Sequence, residues 1–166
     1  MPSHPEPVLP DVLDHGLRIV FCGSAAGRVS ARRGAYYAGP GNRFWPTLAA
    51  TGLTPYRLPP EAFPSLPEHG LGLTDIAKEV SGADSELPPG SDDPEALRAK
   101  ILRFAPDVLA FVGKRPAQAF LGRAADYGLQ PETLGPTRLF VLPSPSGAAR
   151  RYWDESWWHA LARLVA

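Results

Sequence analysis

Cysteine is almost missing from this chain: Cys22 stands alone among 166 residues. A lone thiol excludes an internal disulfide, a cysteine-ligated iron–sulfur cluster and a Cys-rich zinc site. The four histidines, His4, His15, His69 and His159, are scattered, with no His-x-x-x-His pair, so neither a metal nor a cofactor is expected. No apolar run approaches the roughly 20 residues of a membrane-spanning helix. Residues 1–16 lack the basic start and apolar block of a secretory signal. A cytoplasmic protein that does not engage membranes is the expectation.

Acidic residues are missing from residues 15–60, which carry six arginines (Arg18, Arg28, Arg32, Arg33, Arg43 and Arg57). Residues 61–107 reverse the balance with ten acids to four bases, and residues 108–166 restore seven bases to four acids. The net charge of zero therefore conceals a basic first and last third, suited to a polyanion if they share a face. Arginines that merely decorate a surface would leave the same pattern. Lysine is scarce, three against fourteen arginines.

What is present reads as one folded domain. Hydrophobic residues at 44% and charged residues at 20% can supply a full core at this length. The apolar run 17–23 ends at Gly23 and predicts a strand buried on both faces. Residues 27–41, rich in Gly, Arg and Tyr, read as a loop. Residues 42–53 predict a helix capped by Asn42 and ending near Gly52. Five prolines in 54–70 suggest an irregular crossing, 70–77 a short strand end, and 81–93 a polar loop. Asp92 or Asp93, followed by Pro94, predicts the start of a helix that runs to Phe104. Residues 106–114 give the strongest strand pattern. A helix over 116–126, a strand from 138 into a Pro/Ser/Gly loop, and a closing amphipathic helix over 153–165 complete the chain. Trp153, Trp157 and Trp158 there are expected in the core. The alternation predicts a single α/β domain, a mainly parallel central sheet between two helical layers, with residues 1–14 as a flexible arm.

Ligands in such folds gather beyond the carboxyl ends of the strands. Three loops of unusual composition leave those ends: residues 23–27, 73–75 and 143–147. The first lacks a dinucleotide-binding spacing and no GKS or GKT triplet follows it, so nucleotide binding by a phosphate loop has weak support.

The order of motifs is more specific than any one of them. Residues 17–23, Ser30-Ala31, Tyr37-Ala38-Gly39-Pro40-Gly41-Asn42-Arg43-Phe44-Trp45, Gly72-Leu73-Thr74, residues 110–114 and residues 142–147 occur in the order found in one family. Over about residues 10–165 the chain resembles the mismatch-specific uracil-DNA glycosylases, relatives of thymine-DNA glycosylase. Small size and one compact domain make a monomer the default. The resemblance implies a cofactor-independent cytoplasmic enzyme, associated with the bacterial nucleoid during repair. Its partner would be DNA carrying uracil, in a G:U mismatch or otherwise, or another deaminated base. The enzyme would flip the base out and hydrolyse its glycosidic bond, with no metal. Extrusion is least costly at a mismatch.

Site residues follow from the resemblance position by position. Tyr37 matches the aromatic that stacks on the flipped base, and otherwise is a core tyrosine beside Phe44 and Trp45. The backbone at Ser24 addresses the base, and Ser30 lines the pocket or is an ordinary loop serine. Ser144 stands where asparagine is common, and Gly147 and Ala148 belong to the loop that docks on the duplex. Ala148 lacks the bulk of the family's usual wedge, which leaves Arg150, Arg151 or Tyr152 to probe DNA, with Arg32 and Arg33 on the basic face.

Ala25 departs from the pattern, because the family carries a water-positioning asparagine there and a methyl group makes no hydrogen bond. Either catalysis is lost, leaving a silent damage-binding module, or another group has taken the role. Asp75 is the best substitute, able to orient water and to stabilise a sugar cation. Its alternative is a helix-capping or Asx-turn aspartate at the start of residues 76–79. Asp92, Asp93 and Glu79 are second choices. A third reading is a small-molecule enzyme whose first loop binds a nucleotide.

Overall fold

The computed structural model describes residues 6–166, so His4 and the first five residues of the expected arm lie outside them. Five strands form one sheet in the order β2-β1-β3-β5-β4: β1 (Ile19–Gly23), β2 (Leu71–Asp75), β3 (Val108–Val112), β4 (Gly128–Leu134) and β5 (Thr137–Leu142). The first three and β5 run parallel, and only β4 is antiparallel, a hairpin partner of β5. The chain leaves β1 for β2 on one side and later returns to β3 on the other, so a crevice opens where the direction of travel reverses.

Alternation within each strand divides the core in two. Ile19, Phe21, Leu71, Leu73, Ala110, Phe140 and Leu142 face a layer built from α2 (Phe44–Ala50), a proline-rich 3-10 helix (Pro60–His69) and α5 (Glu155–Leu164). Val20, Cys22, Leu109, Phe111, Leu139 and Val141 face α3 (Pro94–Phe104) and α4 (Lys114–Leu121). Phe21 packs edge-on to Phe44 at 5.2 Å and stacks on Trp158 at 5.8 Å, so the expected core role of Trp158 holds. Trp153 and Trp157 are only partly buried against that core, and Trp153 precedes α5 rather than lying on it.

Several elements differ from the sequence expectation. Residues 28–33, expected within a loop, form the short helix α1 (Arg28–Arg33). It was hidden because a single residue, Ser30, is its buried face. The five-proline crossing condenses into the 3-10 helix, which Pro60 can open because a first-turn residue needs no N–H donor. Strand β4 was missed: its exposed Leu129, Pro131 and buried Gln130 give no apolar alternation. Helix α4 ends at Gly122, whose left-handed φ of 71° stops it well before residue 126.

The expected arm is also corrected where it is described. Val12 exchanges two backbone hydrogen bonds with Leu73, of 2.9 and 2.8 Å, and closes the edge of β2. Leu9 is buried in the core. The strand beneath must be bare at this crossing, because a side chain on Gly72 would begin 2.5 Å from the Val12 carbonyl oxygen. Asp11 is fixed by Lys78 at 2.9 Å, Lys100 at 2.7 Å and the Thr74 hydroxyl at 2.7 Å.

Candidate active site

The carboxyl ends of the parallel strands deliver Gly23 from β1, Asp75 from β2, and the loops after Val112 and Leu142 to one rim. Pairing of the first two continues past the strands: Ile76 N–H donates to Gly23 O at 2.9 Å and Ala77 N–H to Ser24 O at 2.7 Å. A cleft of about 650 Å³ opens there. Ser24, Ala25, Ser30, Tyr37, Asp75, Ser144, Gly147 and Ala148 all line it. Of the residues nominated from the sequence, these are the ones brought together.

Asp75 sits at the cleft floor. It is 6% exposed, and burial pushes its carboxyl up to about 6, against the opposing pull of Lys78 and the backbone of Gly23. At neutral pH it is still mostly ionised. No helix begins at Asp75, because residues 76–80 form none, and the capping reading falls. Glu79 is exposed and does not line this cleft. Asp93 accepts from Ala96 N–H at 3.0 Å as the cap of α3, while Asp92 is held in a two-pronged contact with Arg115.

Tyr37 takes a left-handed backbone conformation, φ 54°, which is uncommon for a residue with a side chain. That conformation turns its ring over Phe44, with centroids 4.1 Å apart and planes 29° from parallel. Its hydroxyl is buried without a hydrogen-bond partner, and burial next to the Asp75 charge drives its pKa well up. Gly23 makes room for both groups, since a Cβ there would lie 2.8 Å from Asp75 Oδ1 and 3.0 Å from the Tyr37 hydroxyl.

Two loops are stitched across the cleft. Arg43 N–H donates to Pro145 O at 2.9 Å, and a Cβ on Gly147 would press on Pro40 O at 3.3 Å. Ser30 Oγ accepts from Ala38 N–H at 3.0 Å and so fixes the turn that carries Tyr37. Ser144 Oγ accepts from Ser146 N–H at 3.3 Å. Residues 147–152 then form a 3-10 segment that leaves Arg150 and Arg151 exposed outside the cleft.

The remaining nominated arginines do not reach the cleft. Arg32 is exposed on α1, and Arg33 is engaged by Glu61 through Nε at 2.9 Å and Nη2 at 2.6 Å. Sequence reasoning missed the wall built by residues 82–86, where Glu86 pairs with Arg28 across the cleft mouth. Polar loop composition alone carries no signal for that position. Asn42 lines the cleft too, although its carboxamide accepts from Phe44 N–H at 2.9 Å. Among the described residues no group of three or more His, Cys, Asp or Glu could hold a metal. None of the described helices is long and apolar enough to cross a membrane.

A buried carboxylate and an aromatic ring lining an open cleft fit cleavage of a bond that generates a cation on one side and an anion on the other. Residues 10–164 match the family model described as the uracil DNA glycosylase superfamily. The chain belongs to that superfamily, which supports a glycosylase acting on DNA. Its fold is similar to the solution NMR structure of a Methanosarcina acetivorans protein provisionally called a uracil DNA glycosylase. The TM-score is 0.64 at 24% identity, over 97% of this chain and 98% of the other.

Proposed function

We propose that the protein is a monomeric, monofunctional DNA glycosylase that removes uracil, from G:U mismatches among other contexts, and accepts other deaminated bases. The observation that carries this reading is the buried Asp75 carboxylate on the floor of a cleft whose usual polar position holds Ala25. A flipped pyrimidine would stack on Tyr37 with its oxygens towards the backbone of residues 24–26. Ser30 and Ser144 would border its edges. Asp75 would hold a water beneath the sugar. As the C1′–N1 bond breaks, its electron pair leaves with the base, the water oxygen bonds to C1′, and Asp75 takes the water's proton. Its negative charge would also favour the oxocarbenium-like transition state before the water adds.

Residues 143–149 would dock on the duplex, and Arg150 and Arg151 would neutralise phosphates or stack on exposed bases. With only Ala148 at the loop tip, little volume fills the vacated stack, which supports a broad rather than strictly mismatch-bound range.

The test is single-turnover cleavage of labelled DNA carrying one uracil opposite G, opposite A, or in a single strand, with binding measured on the same preparation. Abasic product supports the proposal. Lesion-selective binding without product supports the alternative, a silent damage-binding module that lost catalysis with the polar residue at position 25. Absence of DNA binding returns the small-molecule alternative.

A further inference from the structure

Behind Asp75, at a second cavity that it also borders, lies a half-buried charge cluster that the hydrolytic reading does not use. Lys78 Nζ is 2.9 Å from Asp11 Oδ1 and 3.0 Å from the Tyr36 hydroxyl. The other Asp11 oxygen meets Lys100 at 2.7 Å. The Tyr36 hydroxyl donates to Pro10 O at 2.9 Å, so its oxygen is free to accept from Lys78. Four separate pieces of chain build the cluster: residues 8–12, Tyr36 after α1, the turn after β2, and α3. Asp11, Lys78 and Lys100 line a second cavity of about 340 Å³ that Asp75 borders as well.

Two lysines on one aspartate leave a net positive charge at the back of a buried carboxylate. Burial alone favours the neutral acid, and a neutral acid can neither take a proton from water nor stabilise a cation. Of the groups that face Asp75, Lys78 and Lys100 favour its ionised form and Asp11 opposes it. Glu79, Asp92 and Asp93 also line the cavity that Asp75 borders, with Asp92 paired to Arg115 and Asp93 capping α3. On the cleft side Arg28 and Glu86 pair with each other. The Cys22 thiol and the Tyr36 and Tyr37 hydroxyls, all held protonated by burial, carry no charge. The side chains of Lys78 and Asp11 are only 14% and 23% exposed, so solvent screens them weakly.

We propose that Lys78, supported by Lys100, is a positioning residue that holds Asp75 as a carboxylate, and that Asp11, paired with both lysines, moderates their effect. Through Asp11 the N-terminal segment is on this account part of the charge balance at Asp75. The inference deepens the glycosylase reading and rests on it for its functional meaning.

The experiment is a carboxyl-carbon NMR titration of the full chain, with the Asp75 signal assigned by its loss in Asp75→Asn. In the unaltered protein the midpoint is expected near 6. Lys78→Met should raise it by about one pH unit, Lys100→Met by less, and Asp11→Asn should lower it. Opposite signs for removal of a cation and of an anion are the mark of a charge effect. Unchanged midpoints, or a shift of all three variants in one direction as in a loosened site, overturn the proposal. If Lys78→Met fails to fold, the signs for Lys100→Met and Asp11→Asn decide.

Single-turnover cleavage across pH supplies the functional arm. At pH 6 Lys78→Met should cleave about fivefold more slowly than the unaltered protein, a deficit that closes as pH rises above 8. Product formation that persists in Asp75→Asn overturns the catalytic reading of Asp75, while the NMR midpoints still decide the role of the cluster.

Discussion

Gly23 lies directly under the Asp75 carboxylate: the first atom of any side chain at position 23 would stand 2.8 Å from Asp75 Oδ1. Two adjacent parallel strands pair at these two residues, so the spacing is set by the sheet itself and not by a mobile loop. The glycine is needed here for space and not for a left-handed turn, since its φ is not positive.

Gly23→Ala should therefore leave the fold intact but push Asp75 and Tyr37 apart. The expected cost is about 1–3 kcal/mol of stability, with at least a tenfold loss of single-turnover rate. Urea denaturation and cleavage on one preparation check both values. Full activity in the variant would mean that Asp75 need not occupy its observed position.

Tyr37→Phe separates the ring from the hydroxyl. The hydroxyl is buried and unpartnered, so its removal should stabilise the free protein by about 1 kcal/mol. The ring still packs on Phe44, and cleavage should stay within about threefold if stacking is its role. Thermal melts and single-turnover rates measure the two effects. A large loss of rate would give the hydroxyl a part in the chemistry.

The protonation of Asp75 links activity to stability. Its carboxyl titrates near 6 in the folded protein against 3.8 as the ordinary value. Between those values the folded chain holds a proton that the unfolded chain has released. Stability therefore falls as pH rises through this window and stays lowered above it, by up to about 3 kcal/mol. Asp75→Asn should be more stable than the native protein at pH 7.5 by about 1–3 kcal/mol, a gain that shrinks towards pH 4. Denaturation curves at pH 5 and 7.5 test the sign.

The arginines should divide into two groups. Arg150 and Arg151 are exposed beside the 143–149 loop, and replacing both with alanine should weaken DNA binding and lower its salt slope by up to about 2. Arg33 is occupied by Glu61, and Arg33→Ala should leave the slope unchanged and cost less than about 1 kcal/mol of stability. Binding isotherms at several salt concentrations separate the two.

Much of this architecture is legible in the sequence because burial leaves a pattern. β1 and β3 are unbroken apolar runs, and Asp93-Pro94 announces α3 through the chemistry of its cap. What escaped lacks such a pattern: α1 buries only Ser30, and β4 carries Pro131 and Glu132 where apolar residues were sought. The cleft could be anticipated from glycine, serine and proline at the strand ends, since ligands approach parallel sheets there. The environment of Asp75 could not. Asp11 and Lys100 are far from it in sequence; the crossing of residues 8–12 over Gly72 brings in the first, and the packing of α3 on the sheet brings in the second. The same crossing turns an expected arm into an edge of the sheet.

The central claim is that Asp75 performs the work for which Ala25 has no polar atom. It is tested most directly by Asp75→Asn, in single-turnover cleavage of uracil-DNA at pH 7.5, with binding of the same DNA measured alongside. Asparagine keeps the size and most hydrogen bonds but neither the charge nor the basicity. The account predicts undiminished binding and a cleavage rate at least ~100-fold lower. Cleavage at the native rate, with binding intact, would contradict it.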